Sequence, residues 1–373
     1  MDYKDTLKMP NTEFPMRGNL PENEVKMLEK WENMDLYNKM KEKNKDGKPF
    51  VLHDGPPYAN GSIHVGHAMN KTLKDIINRY KFMCGYDVTY IPGWDTHGLP
   101  TEQAVTNKGV DRKKMTKAEF RTVCQQFAEE QVAEQMKGFK RLEVLGDWDH
   151  PYVTYQKEFE ASQIRVFAEM VKKGLIFKGM KPVYWSPSSE SALAEAEIEY
   201  HDRKDASIYV AFPVKDGNEV LNAGDNLVIW TTTPWTIPGN TGICVNETYD
   251  YVKVQVDGKN YVVAKELLAD LAELFEWSDY EEISTFKGKD IVGLEYDHVF
   301  KTRVGKVVCG EHVTLESGTG LVHTAPSYGA DDFAVGKEFG LDMVFGVDDD
   351  GKLNEESGKE FAGLYFEDAN KAI

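Results

Sequence analysis

Two histidines, His64 and His67, lie three residues apart where a predicted strand passes through a Gly/Pro-rich loop into a predicted helix. The first N–H groups of a helix are unpaired and its dipole favours negative charge. Each imidazole can donate a hydrogen bond to a phosphate oxygen. Three glycines would let a ligand lie close to the backbone: Gly55, Gly61 and Gly66. The pattern predicts a nucleotide-phosphate site.

Two other roles for the histidine pair are compatible with the sequence. The spacing also suits a metal pair, with His53 or Asp54 as a third ligand. Alternatively, both rings have only capping and core roles. The glycine-rich setting favours the phosphate reading.

A second chemical cluster lies far along the chain. Residues 230–236 carry four threonines near the end of a predicted strand, residues 318–326 include His323, and residues 329–332 end in two aspartates. These segments offer hydroxyls, an imidazole and carboxylates, but no strong nucleophile. As purely structural alternatives, the threonine run could be an ordinary β-branched strand, and the two aspartates could be a solvated helix start. Asp95 and His97, in the loop 93–100, could merely order a turn.

The elements that must position the first cluster form a βαβ unit. The patterns predict strand 49–53, helix 65–83 and strand 87–92, hence a parallel sheet. Both special loops then lie at the carboxyl ends of strands, where open α/β sheets bind ligands. One face of the helix is apolar: Leu73, Ile76, Ile77, Tyr80 and Met83.

The remaining patterns predict four more features. Helices are expected over 22–37, 114–146 and 157–173, the second mainly a solvated face, and a serine-rich turn over 186–191. From about residue 205 short apolar strands recur, interrupted by a helix over 265–275. The strands are predicted at 207–213, 227–232, 242–246, 251–256, 260–264, 307–309, 313–315 and 320–324.

Composition indicates a globular protein. The chain has 373 residues, 41% of them hydrophobic, and a formal net charge of −18, which argues against a uniformly basic nucleic-acid binder. Its four cysteines form no C-x-x-C pair, so no disulfide framework is indicated. With no signal-peptide pattern and no apolar run of membrane length, we expect a cytoplasmic protein.

Four motifs, taken together and in order, resemble those of the class I aminoacyl-tRNA synthetases. Their His-Ile-Gly-His sequence is similar to His64-Val65-Gly66-His67, within the longer run 55–67. The run 93–102 resembles the bacterial isoleucine-specific branch. Residues 230–236 and 318–332 resemble its editing domain, where valine and leucine enzymes carry an arginine at the position of Thr233.

The resemblance implies an α/β fold in which the first half of a Rossmann-like parallel-sheet catalytic domain is followed by an inserted, mostly β editing domain. The implied layout is an N-terminal helical extension over 1–48, the half catalytic domain over 49–180, a connector over 181–204 and the editing domain over 205–373.

The resemblance also implies a reaction in which isoleucine attacks the α-phosphate of ATP, accompanied by Mg²⁺, and then passes to the acceptor end of tRNA(Ile). His64 and His67 would be catalytic, and a monomer is expected. Isoleucine would contact Pro56, Asp95 and His97. The implied ATP-binding residues are Gly55, Pro57, Asn60, Gly61, His64, Gly66 and His67.

An apolar pocket discriminates poorly between isoleucine and valine, which differ by one methylene, so the second site would hydrolyse valyl-tRNA. Asp332 would hold the substrate amine, and water would be the attacking group. The implied editing residues are Thr231, Thr232, Thr233, Thr236, His323 and Asp332.

The sequence departs from the family in two places. No Lys-Met-Ser-Lys-Ser-like loop occurs, so we expect an amino-terminal fragment that does not aminoacylate tRNA by itself. Ser186 and Ser189 stand where many relatives carry a C-x-x-C pair; no zinc site is expected there, and hydrogen bonds must hold the turn. A free-standing hydrolase and a non-catalytic tRNA- or nucleotide-binding module remain as alternatives.

Overall fold

The computed structural model describes residues 3–8 and 12–373. They divide into two compact units, Met1–Phe177 (unit 1) and Lys178–Ile373 (unit 2). Within the described residues, none of the helices combines the length and the apolar character that crossing a bilayer requires.

Unit 1 is mainly helical around short parallel strand pairs. Its helices are α1 (Leu20–Asn33), α2 (Leu36–Lys43), α3 (Val65–Met83), α4 (Leu99–Asn107), α5 (Lys117–Arg141) and α6 (Lys157–Lys172), with 3-10 turns at Tyr3–Thr6 and Arg112–Lys114. Its strands are β1 (Pro49–Val51), β2 (Asp87–Thr89), β3 (Gly93–Trp94) and β4 (Tyr152–Val153).

The predicted βαβ unit is confirmed. Strand β1 pairs in parallel with β2 through the register Phe50↔Val88, and α3 is the crossover between them. Helix α3 has the predicted bounds because both ends are set locally. His64 caps its start, and Gly85, with φ of 83°, follows its last turn, a conformation that glycine adopts at no steric cost.

Three predictions for unit 1 need correction. The helix 22–37 is two helices, since Asp35 takes a left-handed φ of 53° between them. The loop 93–100 contains β3 and the first residues of α4. Helix α5 is not merely a solvated face, because it buries six side chains: Phe120, Phe127, Ala128, Val132, Gln135 and Phe139.

The apolar face of α3 does not form core. In the described part of the chain, Leu73, Ile76 and Met83 on this face are more than half exposed. The polar face turns inward instead, burying Lys71 and Asp75. These charged groups are held by ion pairs and hydrogen bonds.

Unit 2 is mostly β, as expected from residue 205 onward. Its helices are α7 (Leu268–Leu274), α8 (Ala330–Phe339) and α9 (Phe366–Ala369), with 3-10 turns at Glu195–Glu197, Pro234–Gly239, Lys265–Leu267, Gly288–Asp290 and Glu355–Ser357. Its strands are β5 (Tyr184–Ser186), β6 (Ser191–Leu193), β7 (Ile208–Pro213), β8 (Asn226–Thr231), β9 (Gly242–Val245), β10 (Asp250–Val256), β11 (Lys259–Ala264), β12 (Glu281–Lys287), β13 (Glu295–Asp297), β14 (Val304–Cys309) and β15 (Val322–Thr324).

In this unit, which is described throughout, nine strands form one sheet in the order β12-β10-β11-β8-β15-β9-β14-β13, and β7 also pairs with β8. Its core is built from side chains such as Leu227, Ile229, Ile243 and Val262. The central strands β8 and β15 run parallel, with Trp230 opposite Val322. The threonine run that follows Trp230 and the segment that carries His323 therefore lie side by side in the sheet.

The strands of unit 2 differ from the prediction in places, whereas the serine turn agrees with it. Residues 313–315 form no strand. Strands β12 and β13 lie where the sequence predicts no strand, and most of their residues are polar. The serine turn is held by hydrogen bonds, as expected: the Ser189 N–H donates to the Ser186 carbonyl over 3.2 Å, and the Ser186 and Ser188 hydroxyls lie 3.2 Å apart. The domain layout assigned above stays a prediction.

Candidate active-site loops and threonine cleft

The two histidines build the start of α3. His64 Nδ1 accepts a hydrogen bond from the Gly66 N–H over 3.1 Å, and His67 Nδ1 accepts one from the His64 N–H over 3.3 Å. The rings stack with centroids 3.8 Å apart. Two orphan N–H groups of the helix are thus satisfied, so the capping role considered from the sequence is present.

These caps determine where each ring carries its proton. In the neutral form of each ring Nδ1 is the acceptor, so Nε2 carries the hydrogen and is left as a donor. Burial, His64 and Lys71 lower the pKa of His67, which keeps that ring neutral near pH 7. A Cβ on Gly66 would lie 3.0 Å from His64 Cε1, so a larger residue here would press on the His64 ring.

The structure joins the histidine loop (residues 54–67) to the Gly93 loop (residues 93–100). The Asp95 N–H donates to the Pro57 carbonyl and the Ala59 N–H donates to the Asp95 carbonyl, both over 2.9 Å. The Asp95 carboxylate accepts from the His97 N–H over 3.3 Å, the turn considered from the sequence. His97 Nε2 lies 3.4 Å from Glu160.

Gln135, on α5, holds both loops and was missed by the sequence analysis. Its Nε2 donates to the carbonyls of Tyr58 and Gly61 over 3.0 and 2.7 Å, and its Oε1 accepts from Trp94 Nε1 over 3.0 Å. The residue is 1% exposed. No local signal marks it, because a glutamine in a charged helix is ordinarily a surface residue.

Asp54 begins the histidine loop and is fully buried. Its carboxylate is paired with Lys71 and Lys74, so it is not free to complete a metal site with the histidines. Within residues 3–8 and 12–373, no group of three histidine, cysteine or acidic side chains could hold a metal ion.

In unit 2, all the predicted editing residues line one cleft of about 320 Å³, the threonine cleft. They are Thr231, Thr232, Thr233, Thr236, His323 and Asp332. Three threonine hydroxyls form a chain. The oxygens of Thr231 and Thr233 are 3.2 Å apart, and those of Thr233 and Thr236 are 3.3 Å apart. Within this fully described unit, neither cysteine nor lysine lines the cleft.

His323 is held on both sides of its ring. Asn240 Nδ2 lies 2.8 Å from His323 Nδ1, and Thr236 Oγ1 lies 2.9 Å from His323 Nε2. Burial lowers the pKa of His323 to about 3, with a smaller contribution from His298. The ring is therefore neutral, and neither nitrogen is available to take a proton from water.

Asp332 lies in the first turn of α8, where the helix dipole favours an acidic side chain. Burial nevertheless raises its pKa to about 6, assisted by the neighbouring charge of Asp331 and opposed by a hydrogen bond from the Ala325 N–H. It is thus a carboxyl group of the cleft that changes charge near neutral pH.

The chain is similar in sequence to isoleucine–tRNA ligases and aligns with part of a solved structure. Isoleucine–tRNA ligases from Geobacillus thermodenitrificans (strain NG80-2) and Geobacillus kaustophilus (strain HTA426) are 58% and 59% identical over 373 residues, which is 100% of this chain and 40% of each relative. The LeuRS–tRNA–LeuAMS complex of Agrobacterium radiobacter K84 aligns with 88% of this chain and 44% of its own, at 18% identity and a TM-score of 0.44.

The chain spans 40% of the length of the curated relatives that it matches. Residues 26–316 match the family model described as tRNA synthetases class I (I, L, M and V). This range includes the histidine loop, the Gly93 loop and the threonine run. The chain therefore belongs to the class I tRNA synthetases of the I, L, M and V group.

Proposed function

We propose that the protein acts in the ATP-dependent attachment of isoleucine to tRNA(Ile) and in the hydrolysis of valyl-tRNA(Ile) formed in error. The observation that carries the first activity is the pair of Nε2–H donors at the start of α3. Identity of 58–59% to isoleucine–tRNA ligases supports isoleucine as the amino acid.

In the histidine loop, His64 and His67 direct hydrogen-bond donors towards negative charge that develops on the phosphates. Donors already fixed in place stabilise that charge without reorganising during the reaction. Backbone of the glycine-rich loop would cradle ATP, with Mg²⁺ held mainly by phosphates and water. The proposed loop contacts are Gly55, Pro57, Asn60, Gly61 and Gly66.

The Gly93 loop would hold the amino acid. Asp95 is fixed to the histidine loop by two backbone hydrogen bonds, so its carboxylate has a set position for the α-amino group of isoleucine. Pro56 would line the side-chain pocket, and His97 would contact the same substrate. Holding both substrates in one geometry supplies much of the rate acceleration.

In the threonine cleft, water is the proposed nucleophile. The hydroxyl chain of Thr231, Thr233 and Thr236 would hold it, and ionised Asp332 would bind the amino group of the valyl ester. His323 is a positioning group here, because both of its ring nitrogens are engaged. Thr232 also lines the cleft.

Single-turnover hydrolysis of valyl-tRNA(Ile) tests the second activity. The unmodified chain should release valine faster than the uncatalysed reaction and leave isoleucyl-tRNA(Ile) intact. Asp332→Asn should lose most of the hydrolysis, whereas Asp331→Asn, one position away, should retain it. Equal hydrolysis by the Asp332 variant and the unmodified chain would show that the role of Asp332 is wrong. Binding of valyl-tRNA(Ile) without hydrolysis would favour the binding-module alternative.

A further inference from the structure

Asp54 connects four parts of unit 1 through one side chain and its carbonyl. Its Oδ1 is 2.8 Å from Lys74 Nζ, and its Oδ2 accepts from the Gly93 N–H over 3.0 Å and pairs with Lys71. Its backbone carbonyl accepts a hydrogen bond from the Tyr152 hydroxyl. The histidine loop, α3, β3 and β4 therefore meet at Asp54.

Lys71 carries this connection to the histidines. It lies one helical turn after His67 on α3, so the two side chains share a face. Phe139 packs against both: its ring centroid is 4.9 Å from Lys71 Nζ and 6.3 Å from the His67 centroid. Lys71 is 2% exposed, which leaves its ammonium group little freedom to move.

A buried ion pair is a costly way to stabilise a fold, because removing both charges from water offsets much of their attraction. Apolar side chains would fill this space at lower cost. The charges add a geometric constraint, because Asp54 Oδ2 must contact both the Lys71 ammonium group and the Gly93 N–H. This fixes α3 against the first residue of the Gly93 loop.

We propose that Asp54 is a positioning residue that, through Lys71, sets the placement of His64 and His67 relative to the Gly93 loop. The part of this inference that concerns phosphate binding rests on the function proposed above. Asp54 itself touches no substrate, since its carboxylate is enclosed by its protein partners. Tyr90 and Tyr152 are the other titratable groups that face it.

The test uses the 373-residue chain and two measurements. Nitrogen-15 NMR of the imidazole rings reports whether Nδ1 accepts and Nε2 carries the proton in His64 and His67, with no ligand present. Isothermal titration with Mg²⁺-ATP reports affinity. The variants are Asp54→Asn, the charge-free pair Asp54→Asn with Lys71→Met, and Lys74→Met as the matched control, which loses only the Oδ1 contact.

We expect both Asp54 variants to lose the single Nε2–H form of the two histidines and to bind ATP at least about 10-fold more weakly than the control. The control should keep the unmodified NMR pattern. The double variant removes both charges of the buried pair, and the ammonium group that it deprives of a carboxylate, that of Lys74, is 17% exposed, so this variant separates positioning from a general loss of folding. Unmodified imidazole signals in that variant would overturn the proposal. Failure of the unmodified chain to bind ATP would instead count against the proposed function, while the NMR comparison would still decide the role of Asp54.

Discussion

Asn240 donates a hydrogen bond from Nδ2 to Nδ1 of His323 over 2.8 Å. The direction is fixed, because the same Nδ2 also donates to the Gly242 carbonyl, and Asn240 Oδ1 accepts from the Tyr296 hydroxyl. Nδ1 of His323 must then be an acceptor, and its Nε2–H must point at Thr236. A buried asparagine thus decides the tautomer of a histidine in the threonine cleft.

Replacing Asn240 should therefore damage the cleft. Asn240→Ala leaves the buried Tyr296 hydroxyl and His323 Nδ1 without partners, at a cost of about 1–3 kcal/mol for each unsatisfied group. Urea unfolding should show that loss, and valyl-tRNA(Ile) hydrolysis should fall. Tyr296→Phe is the matched control. It leaves the Asn240–His323 bond in place, so it should reduce hydrolysis less. Equal loss in both variants would contradict the tautomer argument.

The stability of unit 2 should depend on pH through His323. Its folded-state pKa of about 3 lies below the value of about 6.5 expected in the unfolded chain. The unfolded state therefore binds more protons between these values, so the stabilisation is complete above about 6.5 and is lost as pH falls towards 3. Thermal unfolding followed from pH 7 to 4 should show this decline. His323→Gln should flatten it; an unchanged slope in that variant would assign the effect elsewhere.

Hydrolysis of valyl-tRNA(Ile) should rise with pH through the ionisation of Asp332. Burial raises this pKa to about 6, so the ionised carboxylate that binds an ammonium group forms only above that pH. A single-turnover pH–rate profile should show a step near 6. Asp331→Asn should move the step to lower pH, since the Asp331 charge raises the Asp332 pKa. A step that stays in Asp332→Asn would exclude Asp332 as its source.

Adding a methyl group at Gly66 should displace the ring of His64. The new Cβ would lie 3.0 and 3.1 Å from His64 Cε1 and Nδ1, tighter than an undistorted contact permits. In Gly66→Ala the imidazole NMR signals of His64 should lose the Nδ1-acceptor pattern. A Cβ on Gly61 would meet no atom within 4 Å, so Gly61→Ala should retain that pattern. Retention in both variants would show that the ring adapts.

The local sequence determines the start and end of α3 and the chemistry at its first turn. His64, Gly66 and His67 form hydrogen bonds with one another within four residues, so the contacts of this first turn can be read from the sequence, whereas its placement against the Gly93 loop is the role proposed for Asp54. The same holds for α5, whose start is set by reciprocal bonds between Thr116 and Glu119. Such contacts are readable from spacing because the partners are close along the chain.

Only the tertiary structure decided which groups hold these motifs. Gln135 reaches Gly61 across 74 residues, Asn240 reaches His323 across 83, and Asp54 reaches Gly93 across 39. The sequence pattern also did not predict the orientation of α3. Its charged side chains Lys71 and Asp75 are buried in ion pairs, and its apolar face is exposed. A periodicity records which residues share a face, but the partner that meets that face is chosen by the folded chain.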